Sequence, residues 1–554
     1  MSVVDLHAHS TFSMLDGMGT PKEVVERAAE LHWGAVCLTE HGWMGSAPAL
    51  YQAAKANRWW KNFSGFEEGS PKPILKPIIG CELYIVPDEM LGLKGKEFRS
   101  VSFHLTVLAL NTEGYHNLVA WTTFANQREN MYYNPRISLE AMADIAPYTL
   151  DNNVVLSGCL GGELCQSLIS VEGNGINLGV AYVDSLKSLF PNFYIEVQRH
   201  ERKKFLGHGF ARYESTCQKQ AEANFKLALI AEATGTPMVV TNDSHYLRAE
   251  QRGAHLMMTA KKQGKNLANV PGNAQANYLP QYGYFTNYLQ PMEGIAKKFD
   301  NGDEMLKNVQ GIVDMVDIRL DPLDDFKYSI PFSGYNDPEA KIRKRSAKRL
   351  KELKSLHGKD VMKRFDLELS VMGDFAHYLL MMSDFIRQAK KQGILTNTRG
   401  SAANSLVCYC LGIHDIDPMP GAYDLLFSRF VNPARKKFPD IDIDIDKDRY
   451  EDFMEYVKDY MAEREGEGQV VQISNYGTLA NRSSFRMMAD ALGISKEDQD
   501  EISKLLPNII DSGMVDEEND VYEALKQEYP EIYELASGVF DSMRNISQHA
   551  CGWL

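Results

Sequence analysis

The sequence predicts an α/β protein. A barrel-like array of strands and helices fills the first half, a second mixed α/β module follows, and a helical stretch comes after it. Three observations predict this. Residues 1 to about 285 alternate strand and helix signals. Seven short apolar strands lie in that stretch, and six of them end in turns carrying His, Asp, Glu or Cys. Further on, aspartate alternates with isoleucine at a period of two, the mark of a strand with one apolar face.

The first strand signal is Val3-Val4-Asp5-Leu6-His7-Ala8-His9, where an apolar run ends in two imidazoles. The pattern returns in Ala35-Val36-Cys37-Leu38-Thr39-Glu40-His41, in Ile79-Gly80-Cys81-Glu82 and in Phe103-His104-Leu105. It returns again in Val155-Leu156-Ser157-Gly158-Cys159 and in Val239-Val240-Thr241-Asn242-Asp243-Ser244-His245. In a barrel of parallel strands the carboxyl ends converge on one mouth. That convergence gathers His7, His9, Asp16, His41, Glu82, His104, Cys159, Asp243 and His245, enough donors for more than one ion. Mixed nitrogen and oxygen donors suit Zn, Mn or Fe rather than Ca. Paired ions about 3.5–4 Å apart are the usual apparatus for displacement at phosphorus. A lone histidine beside a strand is usually a satisfied structural residue, so the recurrence carries the argument. His200 follows the sixth strand and is expected to line the mouth without touching metal.

Between these strands, Thr20-Pro21-Lys22-Glu23 reads as a capping box with Pro at the first helical position, opening a helix to about Leu31. Further strands are expected near 101–110, 153–157, 192–197 and 237–241, and a helix over 201–235. Residues 59–77 read as an excursion, 261–290 as a connection, and 338–391 as helical and heavily charged.

A chain of 554 residues implies several domains. A hydrophobic content of 44% is ample for large cores. The eight cysteines form no CxxC pair and no disulfide framework, which points to a reducing, cytoplasmic setting. No signal peptide or membrane-spanning run is visible. A net charge of −15 argues against wholesale coating of nucleic acid but leaves room for a local basic groove. Lys341, Arg343, Lys344, Arg345, Lys348, Arg349, Lys351 and Lys354 cluster in one stretch, either a solvated helix face or a surface that follows a phosphate backbone.

The second module holds two signals. Arg399-Gly400-Ser401 precedes an apolar helix expected to start at Ser401 and stop at Gly412. A Gly-Ser turn at a helix N-terminus offers free N–H groups to phosphate, and Arg399 adds a charged donor. In Asp440-Ile441-Asp442-Ile443-Asp444-Ile445-Asp446 the acids share one face, about 6.6 Å apart from the strand rise. Neighbours then repel by roughly 2.5 kcal/mol at an effective dielectric of 20. Either water relieves this on an edge strand, or the acids bridge paired Mg²⁺ ions. Arg429, Lys436 and Lys437 flank the acids, as phosphate neutralisers or as structural ion pairs. Arg482 reads as an exposed helical residue, and Tyr476 as core rather than as a base-stacking platform.

Taken together, these residues resemble the bacterial and phage replicative DNA polymerase III alpha subunits, the C family of DNA polymerases. Leu6-His7-Ala8-His9-Ser10 with Met14-Leu15-Asp16-Gly17 resembles the family's opening PHP motif. Arg399-Gly400-Ser401-Ala402-Ala403 is similar to its triphosphate turn. Leu425 to Pro433, followed by Pro439 to Asp444, is similar to its palm segment. Gln472 to Thr478 resembles its thumb, and Arg544 to Ala550 a return strand.

The resemblance implies a distorted (β/α)7 PHP barrel over 1–285 and a nucleotidyltransferase-like palm over 286–447. A helical thumb over 448–530 and the start of a return to the palm over 531–554 complete it. It implies Mg²⁺ on the catalytic acids Asp442 and Asp444, and nucleotide phosphates on Gly400, Ser401, Arg399 and Arg429. It implies two or three Zn²⁺ or Mn²⁺ ions on the nine PHP ligands, with a working 3′–5′ proofreading exonuclease. Thr396-Asn397-Thr398 and Asn404 depart from the glycines usual there. The family's third aspartate, fingers and clamp-binding region lie beyond Leu554. The chain is therefore expected to be the N-terminal part of a divided polymerase. Its expected partners are a second polypeptide, primer–template DNA, deoxynucleoside triphosphates and, through the second polypeptide, a sliding clamp; no membrane is involved. The alternatives are a stand-alone PHP metallophosphoesterase or nuclease, and a non-catalytic assembly piece.

Overall fold

The computed structural model describes residues 3–56, 75–98, 101–170, 175–200, 211–262, 286–320, 335–419, 425–431, 439–466, 470–505 and 527–553. The chain forms two compact units: Met1–Leu320 with Tyr476–Ser547, and Asp321–Asn475 with Gln548–Leu554.

The first unit is built on a curled sheet. Its strands are β1 (Ala35–His41), β2 (Lys76–Ile85), β3 (Phe103–Ala109), β4 (Met131–Tyr132), β5 (Asn134–Ile137), β6 (Asn153–Leu156), β7 (Phe193–Gln198) and β8 (Met238–Thr241). The order runs β2-β3-β6-β7-β8, with β1 and the short β5–β4 pair also joined to β2. Residues 7–9 close the circuit. The His9 amide donates to the Ser244 carbonyl at 2.7 Å and the Ser244 amide to the His7 carbonyl at 3.0 Å, while the Thr39 amide of β1 donates to Ala8 at 2.8 Å. Val36, Leu38, Ile79, Leu105, Val107, Val155, Ile195 and Val239 are all buried in one core. Such burial contributes about 1.5–3 kcal/mol per large aliphatic side chain. Strands covered on both faces explain the unbroken apolar runs in the sequence.

Two expectations need correction. The segment Val3–Leu6 does not form a strand; the only ladder contact described there is a bridge from Ala8 to Ser244. The Asp5 carboxylate takes the donors instead, accepting from the amides of His7 at 3.2 Å and Asn242 at 3.0 Å and from the Ser244 hydroxyl at 2.7 Å. Nor is the sheet parallel throughout. β3 runs antiparallel to both β2 and β6. His104 therefore sits at the start of its strand, and it reaches the common mouth because that strand is reversed.

Helix α1 (Pro21–Glu30) opens with the predicted capping box and buries Val24, Val25 and Ala28. Residues expected in the thumb distribute over both units. Helix Asn481–Ala491 packs Phe485 and Met488 against Ala254 and Met258 in the first unit. Helix Tyr450–Glu465 packs Phe453, Met454 and Val457 against Phe385 and Ala389 in the second.

The second unit's other helices, Pro338–His357, Asp360–Met372, Ala376–Lys391 and Leu406–Leu411, enclose a core that includes Ile342, Phe365, Leu369 and Leu380. A two-stranded ribbon, β9 (Thr396–Arg399) with β10 (Asp442–Ile445), accompanies them. On helix Pro338–His357 the basic cluster divides by residue type. Arg343, Arg345 and Arg349 pair with Asp366, Asp384 and Asp415, whereas Lys344, Lys348 and Lys351 are exposed.

Gly158 marks a tight left-handed turn at the mouth. Its φ is +84°, and an added Cβ would come within 2.3 Å of the His104 carbonyl oxygen. Gly235 has φ +61° with nothing within 4 Å of such a Cβ. Gly158→Ala is expected to cost about 2–5 kcal/mol, combining left-handed strain with overpacking, against about 1–2 kcal/mol for Gly235→Ala. Urea unfolding measures both; equal losses would mean that the turn yields without a clash.

Candidate metal centre and acidic strand

The mouth of the first unit receives one or two polar side chains from each surrounding element. His7 and His9 come from the closing segment, Asp16 from the loop after it, His41 from the end of β1 and Glu82 from β2. His104 comes from the start of β3, Cys159 from the turn after β6, and Asp243 and His245 from the turn after β8. Eight of the nine expected ligands fall into three groups, within each of which the donor atoms lie within 4.8 Å of one another: His7, His9 and Asp243; His9, His41 and His245, which share His9; and, separately, Glu82, His104 and Cys159. Asp16, the ninth, lies 3.4 Å from His41 and 4.0 Å from His245.

Glu82 joins the groups. Its Oε1 is 2.6 Å from His104 Nδ1 and 3.4 Å from His7 Nε2, and its Oε2 contacts His41 Nδ1. Cys159 Sγ lies 3.7 Å from Glu82 Oε1.

The hydrogen bonds show which lone pairs face the mouth. His7 Nδ1 is 2.7 Å from Glu196 Oε1, an acceptor, so Nδ1 carries the proton and Nε2 is left as a donor to metal. The single hydroxyl proton of Ser13 goes to Glu40 Oε2 at 2.6 Å, so Ser13 Oγ must accept from His9 Nδ1 at 2.8 Å. His9 Nε2 therefore also faces inward. Among the described residues His7 Nε2, His9 Nε2 and Asp243 Oδ1 are buried without hydrogen-bond partners. They converge all the same, with Asp243 Oδ1 3.4 Å from His7 Nε2 and 3.2 Å from His9 Nε2. Buried polar atoms are rarely left unpaired, and three such atoms meeting at one point fit a cation that displaces the His7 Nε2 proton. Asp243 is held at φ +51°, a conformation that costs a non-glycine residue energy and concentrates at functional sites.

Glu196 and Glu40 were missed as site residues. The available signal was a carboxylate inside an otherwise apolar strand. His255, 3.8 Å from Asp16, and Lys262, 2.9 Å from it, were also missed, because nothing near them in sequence marks a site. His200 is buried beside Thr286.

The electrostatics of the metal-free cage follow. Burial opposes charge on His41, but Glu82 and Asp16 raise its pKa to about 9. Burial likewise opposes charge on His7, and Glu196 and Asp243 overcome it, lifting the group well above its ordinary value. Burial would raise the Glu82 carboxyl, yet His104 and His41 hold it well below the usual range. Burial, together with His41 and His245, holds His9 well below the usual imidazole value. Protons on His7 and His41 thus stand where cations would go.

In the second unit the aspartate alternation is realised. Asp442 and Asp444 are exposed on one face of β10, and Ile443 and Ile445 are half-buried on the other. Register sets Asp442 opposite Arg399 and Asp444 opposite Asn397. Arg399 Nε lies 3.2 Å from Asp444 Oδ1. Gly400, at φ +76°, brings its backbone so close that a Cβ there would sit 3.0 Å from Asp442 Oδ2. Ser401 lies in the 3₁₀ turn Gly400–Asn404 and does not cap the helix as expected. Ser405 does, accepting from the Cys408 amide at 3.2 Å, because the Asn404 side chain closes a separate turn onto the Ser401 carbonyl at 2.9 Å. Gly412, at φ +75°, ends that helix as expected.

Arg429 is exposed in the turn Phe427–Arg429, which packs beside Gly400–Asn404. Arg364 ties these turns together. It reaches the carbonyls of Asn404 at 2.8 Å and Leu425 at 3.0 Å, and the buried Glu368 at 2.9 Å. Lys436 and Lys437 lie outside the described residues. Tyr476 belongs to the first unit and is 38% exposed, not core. Arg482 is exposed on helix Asn481–Ala491.

Comparison with known proteins agrees with this geometry. Residues 5–200 match the PHP domain family, and residues 339–554 match the bacterial DNA polymerase III alpha NTPase domain. The first region is thus similar to PHP domains and the second to the polymerase III alpha family. Along its whole length the chain is similar in sequence to the DNA polymerase III alpha subunits. It is 32% identical over 565 residues to DNA polymerase III subunit alpha of Treponema pallidum, covering 100% of this chain and 44% of the relative. It is 29% identical to that of Campylobacter jejuni (99% of this chain, 44% of the relative) and 29% identical to that of Aquifex aeolicus (91% and 41%). The chain spans less than half the length of these relatives. An amidohydrolase structure from Chromobacterium violaceum overlaps 44% of this chain and 87% of its own at 14% identity and a TM-score of 0.25, a likeness too slight to carry an argument. No described helix is long and apolar enough to cross a membrane.

A pH dependence follows from the cage. The folded value of His41, about 9, lies above the roughly 6.5 of an unfolded histidine. The stability of the metal-free protein from this group is complete below about 6.5 and fades as pH rises through 9. Divalent cations must displace the same proton, so their affinity should climb across that window, by up to tenfold per pH unit for each proton displaced. Competition against a chromophoric chelator at pH 6 to 9 measures it; affinity independent of pH would sink this account.

Proposed function

We propose that the first unit is a metal-dependent 3′–5′ exonuclease acting on DNA. The second unit then contributes the Mg²⁺-binding acids of a template-directed DNA polymerase. Polymerisation would require primer–template, deoxynucleoside triphosphates and the regions of the relatives that this chain does not span. The observation carrying the reading is the adjacency of three donor groups, two sharing His9 and the third contacting His7 and His41 through Glu82, which suits several neighbouring ions rather than one.

We assign two or three Zn²⁺ or Mn²⁺ ions to the cage. His7, His9 and Asp243 would hold one, Glu82, His104 and Cys159 another, and His41, His245 and Asp16 would complete the set. Such ions, when bound, lower the pKa of water and stabilise charge on a phosphodiester. The chain's own part is rigid placement. Glu196 and the Glu40–Ser13 pair keep the protons of His7 and His9 on Nδ1, so Nε2 stays available. The Cys159 thiol must be reduced to serve, which suits the cytoplasm.

In the second unit, Asp442 and Asp444 supply adjacent carboxylates for Mg²⁺. Gly400, Ser401, Arg399 and Arg429 would receive the triphosphate. A stand-alone phosphoesterase would have no use for this ribbon.

Two substitutions separate the activities. His9→Ala should remove nearly all 3′–5′ degradation of single-stranded DNA and lower the bound metal. It should leave synthesis by the completed polymerase within about threefold. Asp442→Asn should reduce synthesis by at least about a hundredfold and leave degradation intact. Metal analysis, gel-resolved degradation and primer extension measure these outcomes. A purified, folded chain that takes up no divalent transition ion would refute the nuclease assignment.

A further inference from the structure

Next to the cage, three aromatic rings come together with no structural task that requires all three. Phe12 lies three residues after His9, and Trp43 two residues after His41. Tyr476 arrives from strand β11 (Gln472–Thr478), far along the chain. The ring centroids are 6.0 Å apart for Phe12 and Trp43, 5.8 Å for Phe12 and Tyr476, and 5.4 Å for Trp43 and Tyr476. The planes cross at 49–64°, so the rings do not use up their faces by stacking on one another. The trio is held firmly. Trp43 Nε1 donates to the Phe12 carbonyl at 2.8 Å. The loop carrying Phe12 is braced on both sides, by Ser10 and Ser13 hydroxyls that donate to Glu40.

Phe12 also forms a wall of a cavity of about 480 Å³ lined chiefly by apolar atoms, with Thr11, Gln52, Thr478 and Met543 among its other walls. Thr478 and Tyr476 are two residues apart on one strand, so they share a face. The cavity and the aromatic trio are therefore one continuous surface, beginning at the loop that bears the metal-facing His9.

We propose that this surface is a base-binding subsite, in which Phe12, Trp43 and Tyr476 receive an unpaired nucleobase of the strand being degraded. The inference rests on the exonuclease reading above and names its substrate as single-stranded or frayed nucleic acid. An aromatic ledge, with Tyr476 exposed and Phe12 and Trp43 half-buried, stacks any base without reading sequence, as a nuclease that trims every terminus requires. The cavity lies in the size range of small-ligand pockets, and the gathered donors beside it suit the phosphodiester that follows the base.

The experiment compares two substrates with Phe12→Leu, Tyr476→Ala and the unaltered full chain loaded with Mn²⁺. One is a single-stranded oligonucleotide carrying 2-aminopurine at its 3′ end; the other is bis(p-nitrophenyl) phosphate, which has no nucleobase. Stacking of about 1–3 kcal/mol per base corresponds to a fall of roughly 5- to 150-fold in the oligonucleotide-to-diester ratio of kcat/KM, carried mainly by KM for the oligonucleotide. The 2-aminopurine emission, quenched by stacking in the unaltered protein, should recover in the variants. Bound metal and the unfolding midpoint report whether either variant is misfolded, and Phe12→Tyr should restore the ratio. An unchanged ratio and unchanged quenching in both folded variants would overturn the subsite. No hydrolysis of either substrate by the unaltered, metal-loaded chain would instead overturn the nuclease reading beneath it.

Discussion

The first unit turns on one buried carboxylate. Glu82 is 1% exposed and shares its two oxygens among His7, His41 and His104. An isolated carboxylate at that depth would be expelled or neutralised. It persists because three elements deliver imidazoles to it. The direction of β3, the end of β1 and the path of residues 7–9 are therefore mutually dependent. Displace one, and a charge is stranded in the interior at a cost of several kcal/mol. In the metal-free protein, protonated histidines do the neutralising. The same geometry that makes this tolerable is the one that divalent cations would take over.

Much of this was legible in the sequence, because chemistry-bearing residues recur where strands end. Apolar runs terminating in His7, His41, Glu82, Cys159 and Asp243 mark the mouth without any knowledge of topology. The alternation through Asp442, Ile443 and Asp444 reports its own face pattern, since a strand has no other way to arrange a period of two. Strand direction has no such signature. His104 reads identically whether it begins or ends its strand, so the reversal of β3 was invisible. Asp5 looked like part of a strand because its neighbours are apolar. Only in three dimensions does its carboxylate meet the Ser244 hydroxyl and the Asn242 amide, 237 or more residues away. Ser401 and Ser405 are both plausible caps by type, and the choice is made by Asn404 and by Glu368, which accepts from the Ser405 hydroxyl at 2.9 Å. Tyr476 was misjudged for a similar reason: its exposure is a property of the whole unit.

The histidine tautomers extend the same reasoning beyond the visible ligands. Glu196 receives bonds from Thr241 and Gln198 as well as facing His7. That carboxylate is fixed before it orients the imidazole. Glu40 likewise collects the hydroxyls of Ser10 and Ser13. Outer carboxylates of this kind usually matter to a metal site almost as much as the ligands themselves. The loop they hold is also the one that presents Phe12, so the orientation of the cage and the position of the aromatic ledge derive from one hydrogen-bonded anchor.

The second unit solves its electrostatic problem differently. Asp442 and Asp444 face water, so their mutual repulsion is screened and no buried counter-ion is needed. Arg399, itself largely exposed, leans across the ribbon to Asp444. An exposed pair of that kind stabilises by about 0–1 kcal/mol. Weakness is useful here. If Asp444 is to bind Mg²⁺ and Arg399 is to meet a phosphate, the two must part, and a strong buried pair would resist. The first unit keeps its charges in a largely buried cage whose donors already converge. The second keeps them on an open edge, where a weak internal contact would be readily exchanged for the metal and triphosphate proposed above. The rigid tie is moved back one layer, to Arg364 and Glu368, which hold the backbone of the turns and leave the functional side chains free to swing.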